Sequence, residues 1–175
     1  DTLVRFEAEG AVRVRASRVY LNGNGTNIPP YATEETAAAD IASAVACAAD
    51  GDEVVILPGT YEIAEQIVID RDISVHGSTG RPEDVIVHET VSDRVFSIHG
   101  GNETILHSLT VENGARNDCY DVGSGICLAS GCDLMNKNYT PTAALGVVSN
   151  VIVRNCHQSS SDGTSSNNGK NARGA

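Results

Sequence analysis

The stretch "GDEVVILPGTYEI", residues 51–63, decides the reading of the fold. Val54, Val55, Ile56 and Leu57 stand together and are stopped at once by Pro58 and Gly59. Four apolar residues between turn signals suit a short strand buried on both faces. The β-branched side chains and the flanking Gly51 and Pro58-Gly59 favour strand over buried helix. Working downstream, the runs 66–70, 73–77, 84–89, 95–100, 108–114, 125–130 and 149–155 have the same character, separated by Gly, Asn, Asp or Pro. No helical pattern separates them, so the strands must cover one another.

Two runs match position for position: residues 109–113 read LTVEN and 151–155 read VIVRN. Stacked repeats answer the covering problem, because each inward residue then meets an equivalent one on the next repeat. The reading is an all-β fold, a right-handed parallel β-helix (solenoid) with an N-terminal capping α-helix. In that register Val151 stacks on Leu109 and Val153 on Val111 inside. Asn155 stacks on Asn113 in an amide ladder, and Arg154 lies over Glu112 outside. The competing architecture is a β-sandwich, which leaves both the matched repeats and the helix unexplained.

The helix is expected over about 33–50, TEETAAADIASAVACAAD. Thr33 would cap it, Glu34 and Glu35 suit its first turn, and Gly51 closes it. Ile41, Ala44, Val45 and Ala48 share one face. Upstream, residues 1–21 alternate loosely and read as one or two strands, with 1–18 a remnant of a preceding module. Residues 19–156 form the helix-capped first coils, and 157–175 are a polar Ser/Asn/Gly tail too poor in apolar residues to order itself.

Composition narrows function. With 12 basic against 23 acidic residues and a net charge of −11, the chain has no basic stripe for a nucleic acid partner. Aromatic residues are 4 %, so the core must be built from aliphatic side chains. No apolar run reaches the roughly 18–20 residues of a membrane span. The sequence opens at Asp1 without an initiator Met, which reads as a processed or partial chain. Five cysteines (Cys47, Cys119, Cys127, Cys132 and Cys156) are no disulfide framework, though Cys119, Cys127 and Cys132 lie close enough for one local bridge. Cys47 reads as a small buried hydrophobe or a free thiol.

Residues 19–63, with their short VYLN strand, Ala-rich helix and GDEVVILPGTYEI, resemble the opening of right-handed parallel β-helix proteins of the pectin-lyase-like superfamily. ISVHGSTGRPEDVIV, RVFSIHGG and SLTVENG continue the pattern, and GVVSNVIVRNC looks like a coil of the large bacterial surface proteins with this fold. The resemblance covers about residues 19–156 and implies the fold more than an activity. It also implies a secreted or cell-surface location and a carbohydrate-related role.

Lyases of that superfamily hold Ca²⁺ on strand carboxylates and use a basic residue, often Arg, to remove a proton beside a uronate carboxylate. Here Asp118, Asp121 and Asp133 are scattered over loops, and Arg154 is the sole arginine in a late strand. No metal site or cofactor is therefore expected. His76, His88, His99 and His107 look like a cluster on paper, but His76, His88 and His99 should point outward from separate faces. The N-x-[ST] triplets at Asn24, Asn102 and Asn138 read as chance products of polar loops. The expected function is a non-catalytic domain that binds a polysaccharide, surface glycan or other partner through lateral loops bearing Tyr120, Asp121 and Tyr139. The alternative is the opening part of a polysaccharide lyase or glycoside hydrolase whose catalytic coils lie elsewhere. The oligomeric state has no signal in the sequence.

Overall fold

The structure is a computed structural model and describes residues 4–8, 12–91, 93–99, 103–116, 124–128 and 146–158. It shows a domain dominated by parallel β-strands with one α-helix among the described residues. Strands β1 (Val4–Ala8) and β2 (Val12–Ala16) form a separate antiparallel hairpin. Among the described residues every other strand pairing is parallel.

The parallel strands form three main ladders. Ladder I holds β3 (Arg18–Leu21), β4 (Glu53–Ile56), β7 (Ser74–Gly77) and the first halves of β10 (Thr104–Glu112) and β13 (Gly146–Arg154). Ladder II holds β5 (Gly59–Ile63), β8 (Val85–Glu89) and the second halves of β10 and β13. Ladder III holds β6 (Ile67–Ile69), β9 (Phe96–Ile98) and β12 (Ile126–Leu128). From β4 onward the chain visits I, II and III in that order on each pass. A fourth, short ladder pairs β11 (Ala115–Arg116) with β14 (His157–Gln158), so pairing continues two residues into the segment read as a tail.

VVIL thus forms most of β4, held between β3 and β7. Its inward Val54 belongs to a stack running Val19, Val54, Val75, Leu106, Val148. The first four are at most 1 % exposed. Each such burial stabilises the fold by about 1.5–3 kcal/mol.

β10 and β13 each turn a corner from ladder I to ladder II without leaving strand geometry. The corner residues are Ser108 (φ 56°) and Asn150 (φ 49°), both left-handed. They stack, with Asn150 Nδ2 donating to Ser108 Oγ at 3.1 Å. The next corner repeats the device with Asn113 (φ 64°) and Asn155 (φ 55°), where asparagine tolerates what most L-residues avoid. Gly77 is required for another reason: a Cβ there would collide with the Ser108 carbonyl of the next pass.

The helix α1 is shorter than the sequence pattern suggests, spanning Ile41–Cys47 with Asp40 as N-cap rather than Thr33. Asp40 Oδ1 accepts the Ser43 N–H at 2.7 Å. Residues 34–39 are not helical because their backbone groups are committed elsewhere. Ala38 exchanges hydrogen bonds with Tyr20 and Asn22 beside β3, while Glu35, Thr36 and Ala37 carbonyls accept from Thr26, Ile28 and Asn27. Thr33 and Thr36 close a turn through their hydroxyls. Helix closure also differs: Ala48, not Gly51, is the C-cap, and Gly51 (φ 82°) serves the turn into β4. The inward face is as expected, with Ile41, Ala44, Val45 and Ala48 buried and packed against β3 and β6. Cys47 packs against the same core and donates to the Pro30 carbonyl at 3.7 Å.

Candidate functional site

The matched pentads LTVEN and VIVRN set the site. Their register is the one the repeat implies: Leu109 on Val151, Val111 on Val153, Glu112 on Arg154. Alternation along a strand turns the fourth position outward. Glu112 continues a row that begins at Glu62 and passes through His88, because Glu62 pairs with His88 and His88 with Glu112. The outer row of ladder II is therefore Glu62, His88, Glu112, Arg154.

Its inner members are tied together. Arg154 Nε lies 3.2 Å from Glu112 Oε1, and its Nη2 donates to Oε2 at 3.4 Å. Asn155 Nδ2 donates to Glu112 Oε1 at 3.1 Å. His88 Nδ1 lies 3.5 Å from Glu112 Oε2, and Asn113 Nδ2 lies 3.4 Å from His88 Nε2. An amide nitrogen only donates, so Nε2 accepts and the neutral ring carries its proton on Nδ1, facing Glu112. Partial desolvation of Glu112 works against its charge. The hydrogen bonds from Arg154, His88 and Asn155 and the charge of Arg154 outweigh it and hold the carboxyl below its ordinary value.

This arrangement corrects the expected amide ladder. Asn113 and Asn155 each reach sideways to an outer residue of the preceding strand, His88 and Glu112 respectively. A charged acceptor such as Glu112 is a stronger partner than a second amide. Val153 pairs with Val111 as the repeat implies, yet it is 51 % exposed, and no described strand stacks beyond β13.

A second outer cluster lies on ladder I. His76 pairs with His107, and their rings stack with centroids 4.7 Å apart and planes 6° from parallel. His76 Nε2 is 4.0 Å from Glu53 Oε2, which also holds Arg18 Nε at 2.9 Å. Burial, then the neighbouring His76, pushes His107 below its ordinary value, with Glu53 acting in the opposite sense. His76 and His88 do stand on different ladders, but the His76–His107 stack and the placement of Glu62 escaped sequence reasoning. The available signal was the parallel between SVHG and ILHS at the ends of their ladder I segments. His99 stands just past ladder III, its Nε2 2.6 Å from Ser97 Oγ.

Chemically, both clusters are interlocked rather than open. Glu112 has its oxygens occupied by donors, so it is a poor base, and Arg154 is engaged by Glu112. Among the described residues no group of three or more His, Cys, Asp or Glu is placed to hold a metal ion. Tyr120, Asp121, Tyr139, Asp118 and Asp133 lie outside the described residues, as do Cys119 and Cys132. Among the described residues no helix is long and apolar enough to cross a membrane. No protein-family model matches the chain, and no curated protein and no solved structure matches it either.

Proposed function

We propose that this chain is the opening part of a right-handed parallel β-helix of the pectin-lyase-like type, secreted or carried on a bacterial cell surface. It acts without catalysis, as a structural or binding domain for a polysaccharide, surface glycan or other partner. The repeated order of the three ladders supports the solenoid, and parallel crossovers of this kind are almost always right-handed. The contacts of α1 with β3 and β6, the first strands of ladders I and III, support a capping role. The antiparallel hairpin of residues 4–16 supports a separate leading module over 1–18, followed by the solenoid over 19–156 and a polar tail over 157–175. Tyr120, Asp121 and Tyr139, which lie outside the described residues, remain the proposed glycan contacts.

The observation that carries the non-catalytic reading is the Glu112–Arg154 pair. Arg154, of the residue type a lyase needs as base, is ion-paired with its neighbour Glu112. Incubating the chain with uronate polymers and following unsaturated-product absorbance, with calcium titration by calorimetry, tests this directly. The expected outcome is no turnover and no micromolar calcium binding, together with retention on an immobilised polysaccharide panel. Eliminase turnover would overturn the reading.

The enzymatic alternative, the opening of a lyase or hydrolase, draws on one feature. Glu62 and Glu112 face the same way with His88 between them, two strand spacings or about 9–10 Å apart. Inverting glycosidases separate their carboxyls by about 6.5–9.5 Å. Glu112 is already saturated with donors, which favours the binding reading.

A further inference from the structure

Contacts on the outer face of ladder I run diagonally across four strands. Arg18 Nε on β3 lies 2.9 Å from Glu53 Oε2 on β4, and the same oxygen lies 4.0 Å from His76 Nε2 on β7. The His76 ring stacks in turn on His107 of β10. His76 Nδ1 lies 3.3 Å from the Gly77 carbonyl, which only accepts, so in the neutral ring that nitrogen carries the proton. Nε2 then turns a lone pair toward a carboxylate, across a gap too long for a hydrogen bond. One proton on Nε2 converts that mismatch into a charge-assisted contact. Val55 shares the outer row with Tyr20 and His76 and is only 6 % exposed, so the side chains of this face close over it.

We propose that the His76–His107 stack is a one-proton switch: in mild acid His76 takes a proton from solvent on Nε2, Glu53 then ties β3 to β7 through Arg18 and His76 together, and His107 stays neutral. The geometry accepts one proton and opposes two, because the second would set like charges face to face with ring centroids 4.7 Å apart. The carboxylate faces His76, whereas His107 Nδ1 meets the Ser108 hydroxyl at 3.0 Å. Burial and the neighbouring His76 also disfavour charge on His107, against the pull of Glu53. The groups that face the pair are Arg18 and Tyr20 from β3, Glu53 from β4 and the uncharged Ser149 from β13. β8 and the turn Pro82–Asp84 meet β10 on its ladder II half, so His88, Glu83, Asp84 and Glu112 belong to the other ladder.

The switch spans the strands next to the helix. β3 is the strand on which α1 packs, and β4 and β7 follow it on the next two passes. Acid therefore tightens this end of the stack from outside and leaves ladders II and III as they were. The sign follows from linkage: the folded chain offers the His76 proton a carboxylate partner that the unfolded chain lacks. The clamp is present in acid and is lost as pH rises and that proton leaves. It holds whether or not the domain binds a glycan.

Imidazole proton–nitrogen NMR of the whole chain, titrated from neutral into acid, tests this. His76 should gain its Nε2 proton in a first step while His107 still shows a neutral ring, and His107 should follow in a separate step. A single shared step, or His107 first, overturns the switch. Amide exchange gives an independent reading. Glu53 and Ser74 donate their N–H groups to the Ser17 and Asp52 carbonyls beside ladder I, at 3.0 and 3.1 Å, and Thr90 donates to the Ile63 carbonyl beside ladder II at 2.9 Å. On moving from neutral to mildly acid buffer, with intrinsic rates corrected for, exchange at Glu53 and Ser74 should slow about two- to fivefold, the scale of an exposed ion pair, while Thr90 does not change. Glu53→Gln keeps the shape but removes the carboxylate and should abolish that slowing. Exchange that responds to acid equally in parent and variant, or in neither, also overturns the proposal. If Glu53→Gln does not fold, the ring titration of the parent alone decides.

Discussion

Strands β3 and β13, at the two ends of the described stack, carry the same kind of residue and meet opposite fates. Val19 and Leu21 on β3 are at most 1 % exposed, because α1 packs on that strand and buries Ile41 and Val45 against the same core. On β13, Val153 is 51 % exposed although its partner Val111 is fully buried, and Val148 and Val151 are half-buried. Burial alternates along β3, whereas along β13 no position is fully buried. What differs is whether something is stacked on the far side. In this architecture burial belongs to the neighbouring pass, and a strand without one displays the same pattern with little of the energy.

The largest effect should come from testing that contrast within one kind of substitution. Leu106→Ala, in the middle of the inward stack, should cost about 2–5 kcal/mol in urea unfolding. Val153→Ala should stay within about 0.5 kcal/mol. Equal costs would mean that β13 is covered in solution and would break the comparison.

Corner residues sharpen it next. Asn113→Ala forces alanine into a left-handed conformation between two stacked strands and should cost about 1–2 kcal/mol, whereas Asn113→Gly restores most of the loss. The cap offers a third test. Asp40→Ala removes the N-cap of a seven-residue helix and should cost about 1 kcal/mol, read as a lower thermal midpoint.

Smaller effects come from the outer rows. His107 sits below its ordinary value, so the folded protein binds that proton less tightly than the unfolded chain. Its contribution is complete at neutral pH and declines as pH falls below about 6.5, ceasing to change below the folded value. His107→Asn should flatten the melting temperature between pH 7.5 and 5 relative to the parent. Last, Arg154→Ala should raise the Glu112 titration midpoint toward that of an ordinary glutamate while leaving the melting temperature nearly unchanged. A midpoint that does not move would show that the pair is not formed in solution.

Much of the ladder framework was legible in the sequence for a physical reason. Stacked parallel strands impose equivalent residues at equivalent positions, so LTVEN and VIVRN disclosed the register of β10 against β13 without any coordinates. The run EVVIL could be read as β4 because its turn signals are local. The parts that were missed are those where backbone groups chose distant partners. β5 (GTYEI) hides behind the Pro58-Gly59 turn, and the segments 104–107 and 146–148 extend β10 and β13 upstream through corners that no local pattern marks. The start of α1 was misread because helix propensity around Glu34 and Glu35 is local, while the hydrogen bonds that outcompete it come from residues 20–28. His76 and His107 are 31 residues apart in the chain, and only the register of β7 on β10 brings their rings into contact.

The sequence by itself determined the β-rich character, the inward face of the helix and the pairing of Glu112 with Arg154, since each follows from alternation, helical periodicity or repetition along the chain. Tertiary structure alone decided where α1 begins, which histidines meet, that Val153 stays exposed and that Glu89 is buried. Those outcomes depend on what lies one pass above or below. That neighbour is supplied by packing across strands about 4.8 Å apart, a distance the chain itself covers only by travelling through two other ladders.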